Sequence, residues 1–214
     1  MTTTLEIAGV AEHTEAEGPG LRFAVWVQGC TLGCPGCCNP QMFVPGRGRR
    51  VEIDALDAAI AAAQSRHGIE GITILGGEPL QQIDAVADLC AKVCRRSLGV
   101  IIFTGYTLAE ARALPEFVGL WNNLDTLVDG RFDAKHGDRT RRVIGSSNQR
   151  LVHRTDRYAT DDQWAATGAG RPTAEIVLVP GEPPRLVGSP TMVRTLARVT
   201  SAVVRASPGD CDRT

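Results

Sequence analysis

The chain of 214 residues has no apolar stretch approaching the ~20 residues that a membrane-crossing helix requires. Its opening, MTTTLEIAGVAEH, lacks both the basic start and the apolar run of a secretory signal. Net charge is almost absent: 23 Lys and Arg against 24 Asp and Glu leave −1, so no global field draws the protein to nucleic acid or to an acidic membrane. No internal repeat and no low-complexity tract is present. Aromatic residues make up only 5% of the chain. The one basic stretch, residues 131–157, carries eight Lys and Arg against three Asp, but has only Phe132 and Tyr158 beside it. That is too few for the interleaved aromatics of a nucleic-acid surface, so the stretch reads as a solvated face or as a dock for an acidic partner. The expectation is a cytoplasmic protein with neither a membrane nor a nucleic acid as its partner.

Cysteine, by contrast, is plentiful. Seven are present, at positions 30, 34, 37, 38, 90, 94 and 211, and four of them fall within nine residues. In a reducing compartment such a cluster points to a metal or redox site rather than to a disulfide framework. Cys30, Cys34 and Cys37 have the spacing C-x3-C-x2-C, with Gly29, Gly33 and Gly36 between them to let the backbone wrap closely. Three thiolates on one loop suit a [4Fe–4S] cluster and leave one iron open to a further ligand. The competing reading is a structural zinc site, which usually draws on two separated ligand pairs. Here it would need the adjacent Cys37 and Cys38 to share one ion. Cys90 and Cys94 lie on the apolar stripe of a helix and read as core packing, and Cys211 lies in a tail expected to fray.

The periodicity predicts strands over 21–29, 71–75, 98–103 and 124–128, alternating with helices over 54–66 and 80–96 and one opened by a Thr107–Glu110 capping box. Asp54 is expected to cap the first of these helices and Gly68 to end it. Such alternation implies βαβ units and a mainly parallel sheet. The cysteine loop, Gly76-Gly77-Glu78-Pro79, Thr104-Gly105 and Asp129-Gly130 each follow a strand, so they should share one face. From about residue 155 the composition shifts. We expect a core over 1–154 and a small C-terminal extension over 155–214, with a strand over 175–179 and a helix that Ser189 would cap.

These motifs in this order resemble the radical S-adenosylmethionine (SAM) superfamily. Gly18-Pro19-Gly20-Leu21-Arg22, WVQGC, CPGC and Asn39-Pro40 resemble the glycyl-radical-enzyme activases. Val128-Asp129-Gly130-Arg131-Phe132 and Gly145-Ser146-Ser147-Asn148-Gln149-Arg150 look most like the activating protein of anaerobic ribonucleotide reductase. The resemblance spans roughly residues 16–152. It implies an α/β fold of partial (β/α) barrel type, with Cys30, Cys34 and Cys37 holding the [4Fe–4S] cluster and SAM on the open iron. Reductive cleavage of SAM would give a 5′-deoxyadenosyl radical, which takes a hydrogen atom from a glycine of the partner enzyme. An electron donor such as flavodoxin or ferredoxin is implied as well.

Gly76, Gly77 and Glu78 would then meet the SAM amino group, with Asp129, Arg131, Ser146, Ser147 and Asn148 near its carboxylate or adenosine. Arg131 and Cys38 depart from the activase pattern, where Lys and His are usual. A strand-end turn accounts for Arg131, and an ST-turn for Ser146 and Ser147, almost as well. Thr104 is a weaker candidate, and Arg22 reads as structural. Those departures, with the long tail, keep open a radical SAM enzyme acting on a small molecule or peptide. A non-catalytic zinc or iron–sulfur module is the reading from another class.

Overall fold

The computed structural model of the chain describes residues 3–165, 174–177 and 185–188. In chain order the elements are β1 (Thr4–Thr14), β2 (Arg22–Val27), β3 (Arg49–Glu52), α1 (Ile53–His67), β4 (Gly71–Gly76), α2 (Ile83–Cys94) and β5 (Gly99–Phe103). There follow α3 (Leu108–Arg112), α4 (Phe117–Trp121), β6 (Thr126–Asp129), β7 (Arg150–His153), α5 (Asp161–Trp164), β8 (Ala174–Val177) and β9 (Arg185–Gly188). Seven strands form one sheet in the order β3-β1-β2-β4-β5-β6-β7. The central four, β2, β4, β5 and β6, run parallel. β1 and β3 join antiparallel on one side and β7 on the other. Among the described residues the sheet does not close on itself, so the fold is mixed α/β with a parallel centre. β8 and β9 pair, among the described residues, only with each other.

The centre is parallel because its strands are apolar on both faces. All six residues of β2 are buried. Phe23, Val25 and Val27 point into the main core with Ile60 of α1 and Val86 and Leu89 of α2, while Ala24 and Trp26 point the other way, toward Ala16, Met42 and Val187. β5 divides likewise, with Val100 and Ile102 on the helical side and Ile101 packed with Val128, Tyr158 and Trp164. Such two-sided burial is the mark of parallel strands covered by helices.

The helices fall close to expectation. α1 ends at Gly68 in the left-handed conformation (φ 66°), its N–H donating to the Gln64 carbonyl. Asp54 lies in the first turn; the N-cap is Glu52, with no side-chain hydrogen bond. α2 starts three residues later than the periodicity suggests, because Pro79–Gln82 forms a 3-10 turn held by the Glu78 carboxylate accepting from the Leu80 N–H. The Thr107–Glu110 capping box forms, with bonds of 3.2 and 2.7 Å. The expected strand over 175–179 corresponds to β8 as far as residue 177. The helix expected after Ser189, and Cys211, lie outside the described residues.

Arg22, fully buried at the start of β2, ties together the lower ends of three strands. Its Nε donates to Thr73 Oγ1 (2.6 Å) and its Nη1 to the Pro19 carbonyl (3.0 Å) and the Tyr158 hydroxyl (2.9 Å). Nη2 donates to the Ile72 and Gly99 carbonyls, and the guanidinium stands 4.9 Å from the Tyr158 ring centre. Its role is structural.

Candidate active site

The opposite ends of β2, β4, β5 and β6 open into a cavity of about 1020 Å³, its mouth included. Cys30, Cys34, Cys37 and Cys38 all line it. Their loop can follow the cavity wall because Gly29, Gly33 and Gly36 take φ of 94°, 57° and 73°, values that side chains disfavour. It is anchored to the segment behind it, where Gly29 and Cys30 donate backbone N–H groups to the Met42 and Phe43 carbonyls at 2.9 and 3.0 Å. None of these four cysteines is in a disulfide, and all four are half-buried. Burial pushes the Cys30 thiol up, the charges of Glu78 and Cys34 adding to the effect. A cationic group among the thiols would reverse that and favour the thiolate. Among the described residues no three His, Cys, Asp or Glu side chains converge on one point as a single metal ion would require. The thiols share one wall, and the donor set with its left-handed glycines suits a bulky cluster set against that wall.

Gly76, Gly77 and Glu78 line the same cavity. The loop they form is bonded to the cysteine loop, with the Gly77 N–H donating to the Val27 carbonyl and the Glu78 N–H to that of Gly29, both at 2.8 Å. The contact is so close that a Cβ on Gly77 would stand 2.3 Å from the Gly29 oxygen, inside any real contact. Glu78 is almost fully buried. Its Oε1 accepts from the Leu80 N–H (2.9 Å) and the Thr104 hydroxyl (2.7 Å), and its Oε2 from the Gly105 N–H (2.8 Å). Burial raises its pKa, while these three donors and Arg131 act against the rise. Glu78 thereby joins the ends of β4 and β5, and Thr104 and Gly105 reach the cavity with it.

The other sequence candidates surround this cavity rather than line it; its wall at that side is Gly130, Phe132, Gly145 and Gln149. Asp129 is fully buried and pairs with Arg150 through both carboxylate oxygens, also accepting from the Leu108 N–H at 2.7 Å. Arg131 is half-exposed and forked onto Glu110 at 2.9 and 3.0 Å, which holds the Glu110 carboxyl at about 2. The Ser146 hydroxyl is buried and accepts from the Asp133 N–H at 3.0 Å. Ser147 is exposed, and Asn148 donates to the Arg131 carbonyl at 2.8 Å. Cys90 is buried in the main core and Cys94 packs against it.

With this geometry in view, residues 16–152 match the family described as 4Fe-4S single cluster domain. The chain belongs to that family. It is similar to the anaerobic ribonucleoside-triphosphate reductase-activating protein of Vibrio cholerae, 32% identical over 142 residues that cover 64% of this chain and 90% of the relative. The protein of the same name from Enterobacteria phage T4 is 29% identical over 143 residues, covering 65% and 88%. The pyruvate formate-lyase-activating enzyme of Listeria monocytogenes is 43% identical over 70 residues, 32% of this chain and 28% of that protein.

Two wall residues of this single cluster domain, Gln149 and Glu17, are not marked as site residues by the sequence. Gln149 lies within the GSSNQR motif; its Oε1 accepts from the Gly145 and Ser146 N–H groups (3.0 and 3.1 Å) and its Nε2 donates to the Gly130 carbonyl (3.1 Å). It welds the 145–149 loop to the end of β6. Glu17 precedes the Gly18-Pro19-Gly20 turn, and nothing in the pattern marks it as buried. Desolvation pushes its carboxyl up to about 8 even though the Gly188 N–H donates to it at 2.5 Å. Half of the eight cations in the basic stretch are paired internally, Arg131, Arg141, Arg150 and Arg157 with Glu110, Asp138, Asp129 and Asp125. No helix among the described residues is long and apolar enough to cross a membrane.

Proposed function

We propose that this chain is a radical SAM activase that generates a glycyl radical on a partner enzyme, an anaerobic ribonucleoside-triphosphate reductase. The observation that carries the reading is one cavity in which the Cys30, Cys34 and Cys37 thiols face a Gly-Gly-Glu loop bonded directly to theirs. The three thiols would hold three irons of a [4Fe–4S] cluster and leave the fourth for SAM. When bound, the cluster and SAM supply a one-electron cleavage of the sulfonium and, through it, hydrogen-atom abstraction.

The chain's own residues bind, orient and exclude water. Carbonyls of Gly76 and Gly77 and the remaining lone pairs of Glu78 suit an ammonium-like group. Trp26, Leu32 and Phe103 make the wall apolar and keep water out. Arg131, held on Glu110 beside the cavity and under the electrostatic influence of Cys34, has a guanidinium fork that would suit a ligand carboxylate in place of Glu110. Asp129, Ser146, Ser147 and Asn148 serve the cofactor by fixing the segments that carry Gly130, Gly145 and Gln149.

In this reading the open sheet is a partial (β/α) barrel. The core runs over 1–154 and the extension over 155–214, the latter's Tyr158 and Trp164 packed back on the core. An acidic, cytoplasmic donor such as flavodoxin or ferredoxin supplies the electron. The test is anoxic reconstitution with iron and sulfide, followed by dithionite and SAM. Release of 5′-deoxyadenosine supports the enzyme, and its absence from protein with an intact cluster ends the proposal.

A further inference from the structure

The β8–β9 hairpin lies beyond residue 152, where the family match stops. Nevertheless, Leu186, Val187 and Gly188 of β9 line the cavity that holds the four cysteines of the loop. Among the described residues the hairpin makes no backbone ladder with the main sheet. Its described attachments are few. Glu175 accepts from the Thr14 hydroxyl (2.6 Å) and the Glu15 N–H (3.0 Å), the Gly188 N–H rests on Glu17, and Val187 packs against Trp26 and Met42. On the outer side Ile176 is 64% exposed. A two-stranded hairpin is marginal alone in water, so this one stays in place by docking.

Two features make β9 more than a roof. It brings an extended backbone that ends in a glycine, Gly188, at φ 116°, where residues with a side chain rarely go. It also satisfies a buried carboxyl in the wall with a backbone N–H, a contact that any extended segment can reproduce. We infer that β9 occupies the subsite through which the partner's glycine-bearing segment enters, as an intramolecular stand-in that the partner displaces. The inference rests on the activase reading, because only that reading requires a glycine segment to reach this cavity. Glu17 then has a role in recognition: it holds one backbone N–H, whether from Gly188 or from the incoming strand. The chain is self-blocked until a partner competes.

The test uses the full-length, cluster-loaded protein and, as probe, a capped octapeptide of sequence PPRLVGSP, that of residues 183–190. Glu175→Ala with Val187→Asp removes the tether and the apolar anchor together. We expect amide exchange over residues 185–188 to quicken and the peptide to bind at least tenfold more tightly than to the wild type by calorimetry. Should the double variant lose its cluster, Glu175→Ala alone carries the same two readings. Persistent protection of β9 overturns the inference, and so does a freed β9 without gain in peptide affinity. A chain that makes no 5′-deoxyadenosine fails the enzymatic reading whatever the peptide does. One that makes it, yet shows neither change, fails this inference alone.

Discussion

Replacing Glu17 by Gln should change how stability depends on pH, and the structure sets the size of the change. The Glu17 carboxyl is buried against the cavity wall and titrates near 8 in the folded chain instead of at 4.5. A raised folded-state value favours the neutral acid. The stability it gives is therefore complete below 4.5 and is lost progressively as pH rises to about 8. At 1.36 kcal/mol per unit, that interval corresponds to about 5 kcal/mol, an upper figure for so buried a group. Glutamine keeps an oxygen to accept from the Gly188 N–H and cannot ionise. Anoxic urea denaturation of both proteins from pH 4 to 9 isolates this one carboxyl. Asp138 and Glu110, both held near 2, titrate alike in the two chains and cancel. The variant should match the wild type at pH 4 and gain on it by up to ~1.4 kcal/mol per unit above pH 5, levelling near pH 8. Curves that stay parallel from pH 5 to 8.5 would refute the placement of Glu17 in a dry wall.

Other expectations follow from contacts already described. Arg22→Met strips five acceptors of their donor inside the core; a loss of ~3–5 kcal/mol, or roughly 10 °C in Tm, is expected by calorimetry, and a loss below ~1 kcal/mol contradicts the buried network. Gly77→Ala must push the Gly-Gly-Glu loop off the Gly29 carbonyl, so iron retention after reconstitution should fall at least tenfold while far-ultraviolet dichroism is kept. Ala at Cys30, Cys34 or Cys37 should abolish the cluster's visible absorbance, whereas Cys38→Ala should retain it; loss with Cys38→Ala would make that thiol a ligand. Cys90→Ala should cost about 1 kcal/mol in urea denaturation and leave iron content unchanged.

Much of this is legible in the sequence, for physical reasons. A strand such as RFAVWV, buried on both faces, leaves few alternatives to a central parallel strand, and a Thr-x-x-Glu box or a Gly after a helical run fixes helix ends locally. Three cysteines on one short loop imply their shared wall by chain length alone. Tertiary pairing was harder to see. β1, β3 and β7 are ordered by antiparallel partners far along the chain, and RRVE and RLVH are too short to show a period of two. The same holds for the side chains around the cavity. Asp129 and Arg131 sit at strand ends as their motif suggests, yet which charge each one meets depends on Arg150 and Glu110, twenty-one residues away in either case. Glu17 and β9 meet across 171 residues, beyond the reach of any local pattern.

The Arg22 knot lies at the far end of the same strands whose other ends carry the thiols. The parallel sheet thus keeps its clamp and its chemistry a strand's length apart. Loops at the reactive rim are free to drift in sequence, lengthen or acquire an appendage such as β8–β9 without slackening what holds the sheet together. A scaffold divided in this way allows new targets to be explored at one rim while the other preserves the fold.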